Sequence, residues 1–149
     1  MATAIYHQTF LINKFMPLNY PIENKPSKID GKGAFALQKI AARKKIGDLG
    51  GEIISLREAR RRAAQTKRVA MVEFGDGRAL DASVHPNELR YVNHSCMPNA
   101  YMRVCYSRVE FYTLRLIKKG EEITCNYGPT HHDGKLKCRC GVPGCIGYL

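Results

Sequence analysis

Two stretches of the sequence crowd together side chains able to do chemistry. The first, Glu88 to Asn99, reads ELRYVNHSCMPN and sets Asn93, His94, Ser95 and Cys96 side by side before Met97, Pro98 and Asn99. So dense a mix of amide, imidazole, hydroxyl and thiol makes a poor core strand and a good functional turn. Pro98, with φ fixed and no N–H to donate, blocks a regular ladder or helix there. Tyr91 and Val92 read as a short buried element that delivers the turn to an interior site. Taken alone, the segment is also compatible with a surface turn around one satisfied histidine. The second stretch, Lys137 to Leu149, reads KCRCGVPGCIGYL and spaces Cys138, Cys140 and Cys145 as Cys-x-Cys-x4-Cys, with Gly141, Pro143 and Gly144 letting the loop curl. Three thiolates can face one point, and a closed tetrahedral zinc site takes four ligands. The candidates for the fourth are Cys96, Cys105, Cys125, His131 and His132. Cys105 and Cys125 fall in expected strands, where a thiol commonly serves as a small buried hydrophobe, so Cys96, in a turn, is the expected ligand. So tight a triplet is hard to pair internally as disulfides.

The elements that must position these groups are mostly strands. Residues 1–28 hold Pro17, Pro21 and Pro26 and read as an extended arm, with one strand at Phe10 to Phe15. Gly31-Lys32-Gly33 leads into a small apolar strand, and glycines at that spacing let a backbone turn sharply or come close to a ligand. The run Ile46 to Ile54 reads as one strand bent at Gly50-Gly51. Ser55 and Glu58 form a capping-box start for a helix through about Thr66. Its arginines, Arg57, Arg60, Arg61 and Arg62, read as a solvated face rather than a nucleic-acid patch. Val69 to Phe74 and Arg78 to Ala82 flank Gly75-Asp76-Gly77 in the pattern of a hairpin. Tyr101 to Tyr106 and Val109 to Ile117, rich in β-branched and aromatic residues, suggest a second. Glu121 to Tyr127 supplies a last short strand.

A chain of 149 residues fits one domain with a real core. Lys and Arg outnumber Asp and Glu by 24 to 13, a net charge of +11 that favours anionic partners or an acidic neighbourhood. The N-terminal apolar run is broken by His7, Gln8 and Asn13, so neither a secretory signal nor a spanning helix is expected. A soluble intracellular protein in a reducing compartment, nucleus or cytoplasm, follows, where clustered thiols are more often metal ligands than disulfides.

Taken together, the motifs resemble those of SET-domain protein lysine methyltransferases followed by a post-SET zinc segment, over about Ile29 to Leu149. Gly31-Lys32-Gly33 is similar to the family's first cofactor-binding turn. Leu80-Asp81-Ala82 through Asn87, Arg90 and Asn93 to Asn99 resembles its most diagnostic motif, and Glu121 to Gly128 its closing motif, which ends in the catalytic tyrosine, here Tyr127. The C-terminal cysteines match a pattern in which three thiols and the cysteine of the central motif bind one zinc: Cys96, Cys138, Cys140 and Cys145. The resemblance implies a mainly β fold of the β-clip type, with small sheets, one or two short helices and a pseudoknot in which the closing motif threads under the loop before the central one. It implies a domain over 29–130 with an insert helix near 55–66, preceded by the arm and followed by a zinc tail at 131–149. It also implies S-adenosylmethionine bound by Gly31, Lys32, Gly33, Arg90, Asn93 and His94, a lysine entering from the other face, and Ile146 to Leu149 as a lid. The substrate implied is a histone or another basic protein tail.

The sequence departs from that pattern in four places. Leu49 and Ala70 stand where many relatives carry channel-lining tyrosines, Asn126 replaces the usual aspartate, and Cys125 replaces an aromatic at a position linked to the number of methyl groups added. The small residue at 125 points toward multiple methylation. Two other functions compete: a catalytically weak cofactor-binding module, on the strength of those departures, and a zinc-stabilised nucleic-acid binder, on the strength of the charge.

Overall fold

The computed structural model describes residues 17–149, so the strand expected at Phe10 to Phe15 lies outside the described residues. β1 (Ile22–Pro26) and β2 (Lys32–Ala36) form an antiparallel hairpin, with Gly31 at φ +46° in its turn. The end of the expected arm is thus a strand of the main sheet. Burial in β2 falls on Gly33, Ala34 and Ala36, small residues that let another strand pack close.

The run Ile46 to Ile54 is two strands in different sheets, not one bent strand. β3 (Lys45–Asp48) ends before Gly50, and β4 (Glu52–Ser55) begins a second sheet after Gly51. The glycines are required by close approach: a Cβ on Gly50 would stand 2.8 Å from the Asn87 nitrogen, and one on Gly51 2.8 Å from the Asp81 carbonyl oxygen. The chain can turn from one sheet to the other there only without side chains.

The helix starts where its cap predicts. α1 (Leu56–Ala63) has Ser55 accepting from the Glu58 N–H at 3.2 Å. It ends three residues short of Thr66, because Gln65 and Thr66 bond back three residues rather than four and tighten the last turn. Arg62 is not part of a solvated face. Its guanidinium reaches Glu52, Glu58 and the buried Asp81, tying the helix to β4 and to the next strands.

β5 (Met71–Glu73) and β6 (Arg78–Asp81) are the expected hairpin, with Gly75 and Gly77 at φ +80° and +85°. Together with β4 they make a three-stranded sheet in the order β4-β6-β5. A 3₁₀ turn at Glu88–Tyr91 leads to the two-residue β7 (Asn93–His94). β8 (Ala100–Cys105) and β9 (Arg108–Thr113) pair through a turn at Tyr106-Ser107, and β9 stops at Thr113 while Ile117 makes a lone bridge to Ile40.

β10 (Glu122–Cys125) completes the main sheet, whose order is β1-β2-β10-β8-β9-β3, with β7 also paired to β10. It runs antiparallel to β2 but parallel to β7 and β8. One core lies beneath it, built from Ile40, Ile46, Leu89, Val92, Val109, Phe111, Ile117 and Ile123. Mainly β architecture, small curled sheets, one α-helix and a late strand inserted among early ones are the SET fold expected. No helix of the described residues is long and apolar enough to cross a membrane.

Candidate functional site

The parallel pairing of β10 with β7 sets Thr124 beside Asn93 and Cys125 beside His94. Two stretches remote in sequence thereby cross, and Tyr127, two residues beyond Cys125, lands against the central motif. Its backbone N–H donates to His94 Nδ1 at 3.1 Å, its hydroxyl donates to the Val92 carbonyl at 2.7 Å, and the two rings meet edge-on with centroids 5.4 Å apart. Tyr127 as a residue is 40% exposed, yet its hydroxyl turns inward to that carbonyl. Burial pushes the phenol well above its ordinary range, with Cys125, Asp30 and Glu122 adding to the effect. Tyr127 is therefore a neutral phenol at physiological pH.

Asn99 fixes the crossing. It is 2% exposed, its Nδ2 donates to the Glu122 carbonyl at 2.7 Å, and its Oδ1 accepts from the Thr124 N–H at 2.9 Å. One side chain thus supplies ladder-like bonds to β10 ahead of Ala100, where β8 begins its pairing with β10 at Cys125. The sequence marks Asn99 only as a member of the motif, and nothing in its spacing reveals this clamp. The Val92 carbonyl is a backbone group with no sequence signal at all.

On one side of the crossing lies the glycine turn. Asn93 Nδ2 donates to the carbonyls of Asp30 and Lys32 at 3.1 and 3.0 Å and to Glu122 at 2.9 Å, so the amide holds Gly31 to Gly33 against β7. Lys32 and Arg90 approach the Tyr91 ring, at 5.7 and 5.6 Å from its centroid. Gly31, Lys32, Gly33, Arg90, Asn93 and His94 are thus brought into one neighbourhood by β7 and the β1–β2 turn. A left-handed glycine turn and an ammonium fit the donor set that an amino-acid cofactor with a carboxylate end requires, while the Asn93 amide holds that turn in place.

Tyr127 also lines a groove of about 740 Å³ whose apolar wall includes Leu49, Ala70, Val92 and Phe111, with residues of α1, of β5 and of Pro129 to His132 also in its lining. Among the described residues Tyr127 is the sole tyrosine of this lining. Tyr101 and Tyr112 stack on each other at 5.5 Å elsewhere on the β8–β9 hairpin. Neither replaces the tyrosines missing at Leu49 and Ala70. Cys125 is fully buried in the core rather than lining the groove, and burial pushes its thiol up to about 12.

The four expected thiols converge. The sulfur atoms of Cys96, Cys138, Cys140 and Cys145 all lie within 4.8 Å of one another, with Cys96 3.9 Å from both Cys138 and Cys145. A tetrahedral zinc with ligands at about 2.3 Å spaces its sulfurs at about 3.8 Å, so the set fits that ion. Cys105 and Cys125 stand apart in β8 and β10. His94 links the two sites: with Nδ1 accepting from Tyr127, its neutral ring carries the proton on Nε2, 3.4 Å from the Cys96 sulfur. Burial lowers its pKa, which keeps the ring neutral. The tail folds back so that Leu149 and Leu136 exchange backbone hydrogen bonds and both line the groove, while Ile146 and Tyr148 face solvent.

A late strand crossing a central Asn-His-Ser-Cys turn, with an inward phenol at the end of an apolar groove, defines a class: the chain belongs to the SET-domain family, whose domain matches residues 31–128. Among curated relatives, histone-lysine N-methyltransferase set-2 of Caenorhabditis elegans is 33% identical over 149 aligned residues, 94% of this chain and 10% of the relative. Histone-lysine N-methyltransferase 2B of Homo sapiens is 32% identical over 133, 83% of this chain and 5% of the relative. The H3 lysine-36 specific histone-lysine N-methyltransferase of Saccharomyces cerevisiae is 34% identical over 139, 87% of this chain and 19% of the relative. The chain thus spans less than a fifth of the length of these relatives.

Proposed function

We propose that the protein transfers methyl groups from S-adenosylmethionine to the ε-amine of a protein lysine, the substrate class nearest its relatives' names being a histone or another basic protein. The observation that carries this reading is the crossing that sets the Tyr127 phenol between the Asn93–His94 turn and the apolar groove. Gly31, Lys32, Gly33, Asn93 and His94 would hold the cofactor, with Arg90 at the boundary, against Tyr91 and lining the groove, and Cys96, Cys138, Cys140 and Cys145 a structural zinc. When bound, the cofactor supplies an electrophilic sulfonium methyl, whose positive charge also discourages a second cation nearby.

What remains for the chain is alignment and desolvation. An amine must be unprotonated to attack, and an apolar wall of Leu49, Val92 and Phe111 disfavours the ammonium form, so its proton leaves to water before alignment. No side chain is needed as a base, and a phenol pushed above its ordinary pKa would make a poor one. Because the Tyr127 proton is committed to Val92, the oxygen presents its lone pairs, an acceptor for the amine N–H and for the polarised hydrogens of a transferring methyl. The direct test is incubation with labelled S-adenosylmethionine and a panel of histones and other basic proteins. Label on lysine is the expected result. Cofactor binding without transfer to any lysine would reduce the protein to a binding module.

A further inference from the structure

The groove's own charges narrow the substrate, an inference that rests on the methyl-transfer reading above. A groove built for a polybasic tail needs free carboxylates along it, because a carboxylate already neutralised by a nearer cation has little attraction left to offer. Here most of the 13 Asp and Glu side chains are consumed inside the molecule. Glu110 is held by Lys45, Arg103 and Arg108, Glu58 by Arg61 and Arg62, and Glu52 and Asp81 share Arg62 away from the groove lining. Asp30 pairs with Arg68 and Arg139, Asp48 with Lys45, Asp76 with Arg78, Glu121 with Arg115 and Glu23 with Lys25. Among the described residues that leaves Glu73, Glu88, Glu122 and Asp133, and Glu122 already accepts from Ser27 and Asn93. Of the remainder, only Glu73 lines the groove.

The cations are arranged the opposite way. Arg60, exposed on α1, and Arg90, before β7, both line the groove, and neither has a carboxylate within ion-pair distance among the described residues. Two unpaired guanidiniums against one side-chain carboxylate, on a chain of net charge +11, repel a polybasic segment and attract an acidic one.

We infer that the groove selects a lysine flanked in sequence by acidic side chains, recognised through Arg60 and Arg90. Each half-exposed charge pair contributes modestly, so two together shift affinity by about tenfold.

Three peptides with the same central lysine and with Glu, Gln or Arg at matched flanking positions test this on the full zinc-loaded chain. Binding is read by fluorescence anisotropy in the presence of S-adenosylhomocysteine, and transfer with labelled cofactor. The Glu-flanked peptide should bind about tenfold tighter than the Gln-flanked one, with the Arg-flanked one weakest, and Arg60→Glu, on an exposed helix position, should reverse the order. Tightest binding of the Arg-flanked peptide, or equal or absent binding of all three, overturns the inference. Binding in the expected order without methylation leaves the charge preference standing and defeats the methyl-transfer reading, whereas methylation with the order reversed does the converse.

Discussion

The hydroxyl of Tyr127 donates to the carbonyl of Val92 at 2.7 Å, joining residues 35 apart in sequence. The bond fixes the direction of the oxygen lone pairs, which makes the phenol useful as an acceptor and useless as a base. Replacing Tyr127 by Phe keeps the ring against His94 and removes only that oxygen. The expected outcome is a rate of transfer lower by about a hundredfold, the usual cost of deleting one preorganised transition-state hydrogen-bonding group, with cofactor affinity unchanged. Single-turnover rates and a cofactor-binding isotherm measure the two quantities. Near-normal turnover in the Phe variant would remove Tyr127 from the mechanism.

Asn99 makes a second prediction, about the crossing itself. Replacing it by Ala strands the Thr124 N–H and the Glu122 carbonyl in a buried place, and an unsatisfied buried group costs roughly 1–3 kcal/mol. Since β10 carries the chain to Tyr127, Asn99→Ala should lower both stability and activity, the latter with no contact to either ligand lost. Denaturant unfolding alongside initial rates checks this, and a variant as stable as the parent would show that β10 is held by its sheet neighbours alone.

What the sequence disclosed follows the range of the forces involved. Gly75-Asp76-Gly77 marks its hairpin, and Ser55 with Glu58 marks the start of α1, because turn and cap chemistry act within a few residues. The thiol cluster was legible because ligand type and spacing are local, and only its fourth member had to come from elsewhere. The break at Gly50-Gly51 was misread as a bend. Its cause is close approach to Asn87 and Asp81, which no local pattern encodes. Arg62 looked solvated for the same reason: Glu52 and Asp81 are its neighbours only after two strands and a helix have packed. The nearness of Asn93, His94 and Tyr127 came from likeness to a family and not from periodicity, and the groove lining from α1 and β5 was not foreseen.

Acid sensitivity should centre on Glu110. Its side chain is almost wholly buried, and Lys45 and Arg103 hold its pKa down at about 2, against about 4.5 when unfolded. A carboxylate depressed on folding contributes stability that is fully present above its unfolded pKa and is lost as pH falls through its folded one. The stability of the parent should therefore decline between about pH 4.5 and pH 2. Glu110→Gln should be less stable at neutral pH, because Lys45 and Arg103 lose their partner, and flatter across that window. Urea midpoints at stepped pH values follow the difference, and parallel curves for the two proteins would assign the acid transition elsewhere.

The tail supplies the last prediction. Cys138 is buried beside three other thiols, and removing one ligand of a closed tetrahedral set should release the ion, because three ligands leave a structural site open. Among the described residues the tail's backbone–backbone bonds, Cys138 to Gly147 and Leu136 to Leu149 included, stay within the tail, and its backbone bonds to the central motif run through the thiols of Cys96 and Cys140. The main sheet, by contrast, is closed by β10 and packed on Ile40, Ile117 and Ile123. Cys138→Ser should therefore lose zinc and raise amide exchange in residues 129–149 while leaving protection in β2, β8, β9 and β10 intact. Activity should fall with it, since Leu136 and Leu149 wall the groove. Zinc content by atomic absorption and site-resolved hydrogen exchange report both effects. Exchange rising together in the tail and in β10 would mean that the thiol cluster organises the whole fold, through His94 and the Cys96 sulfur it touches.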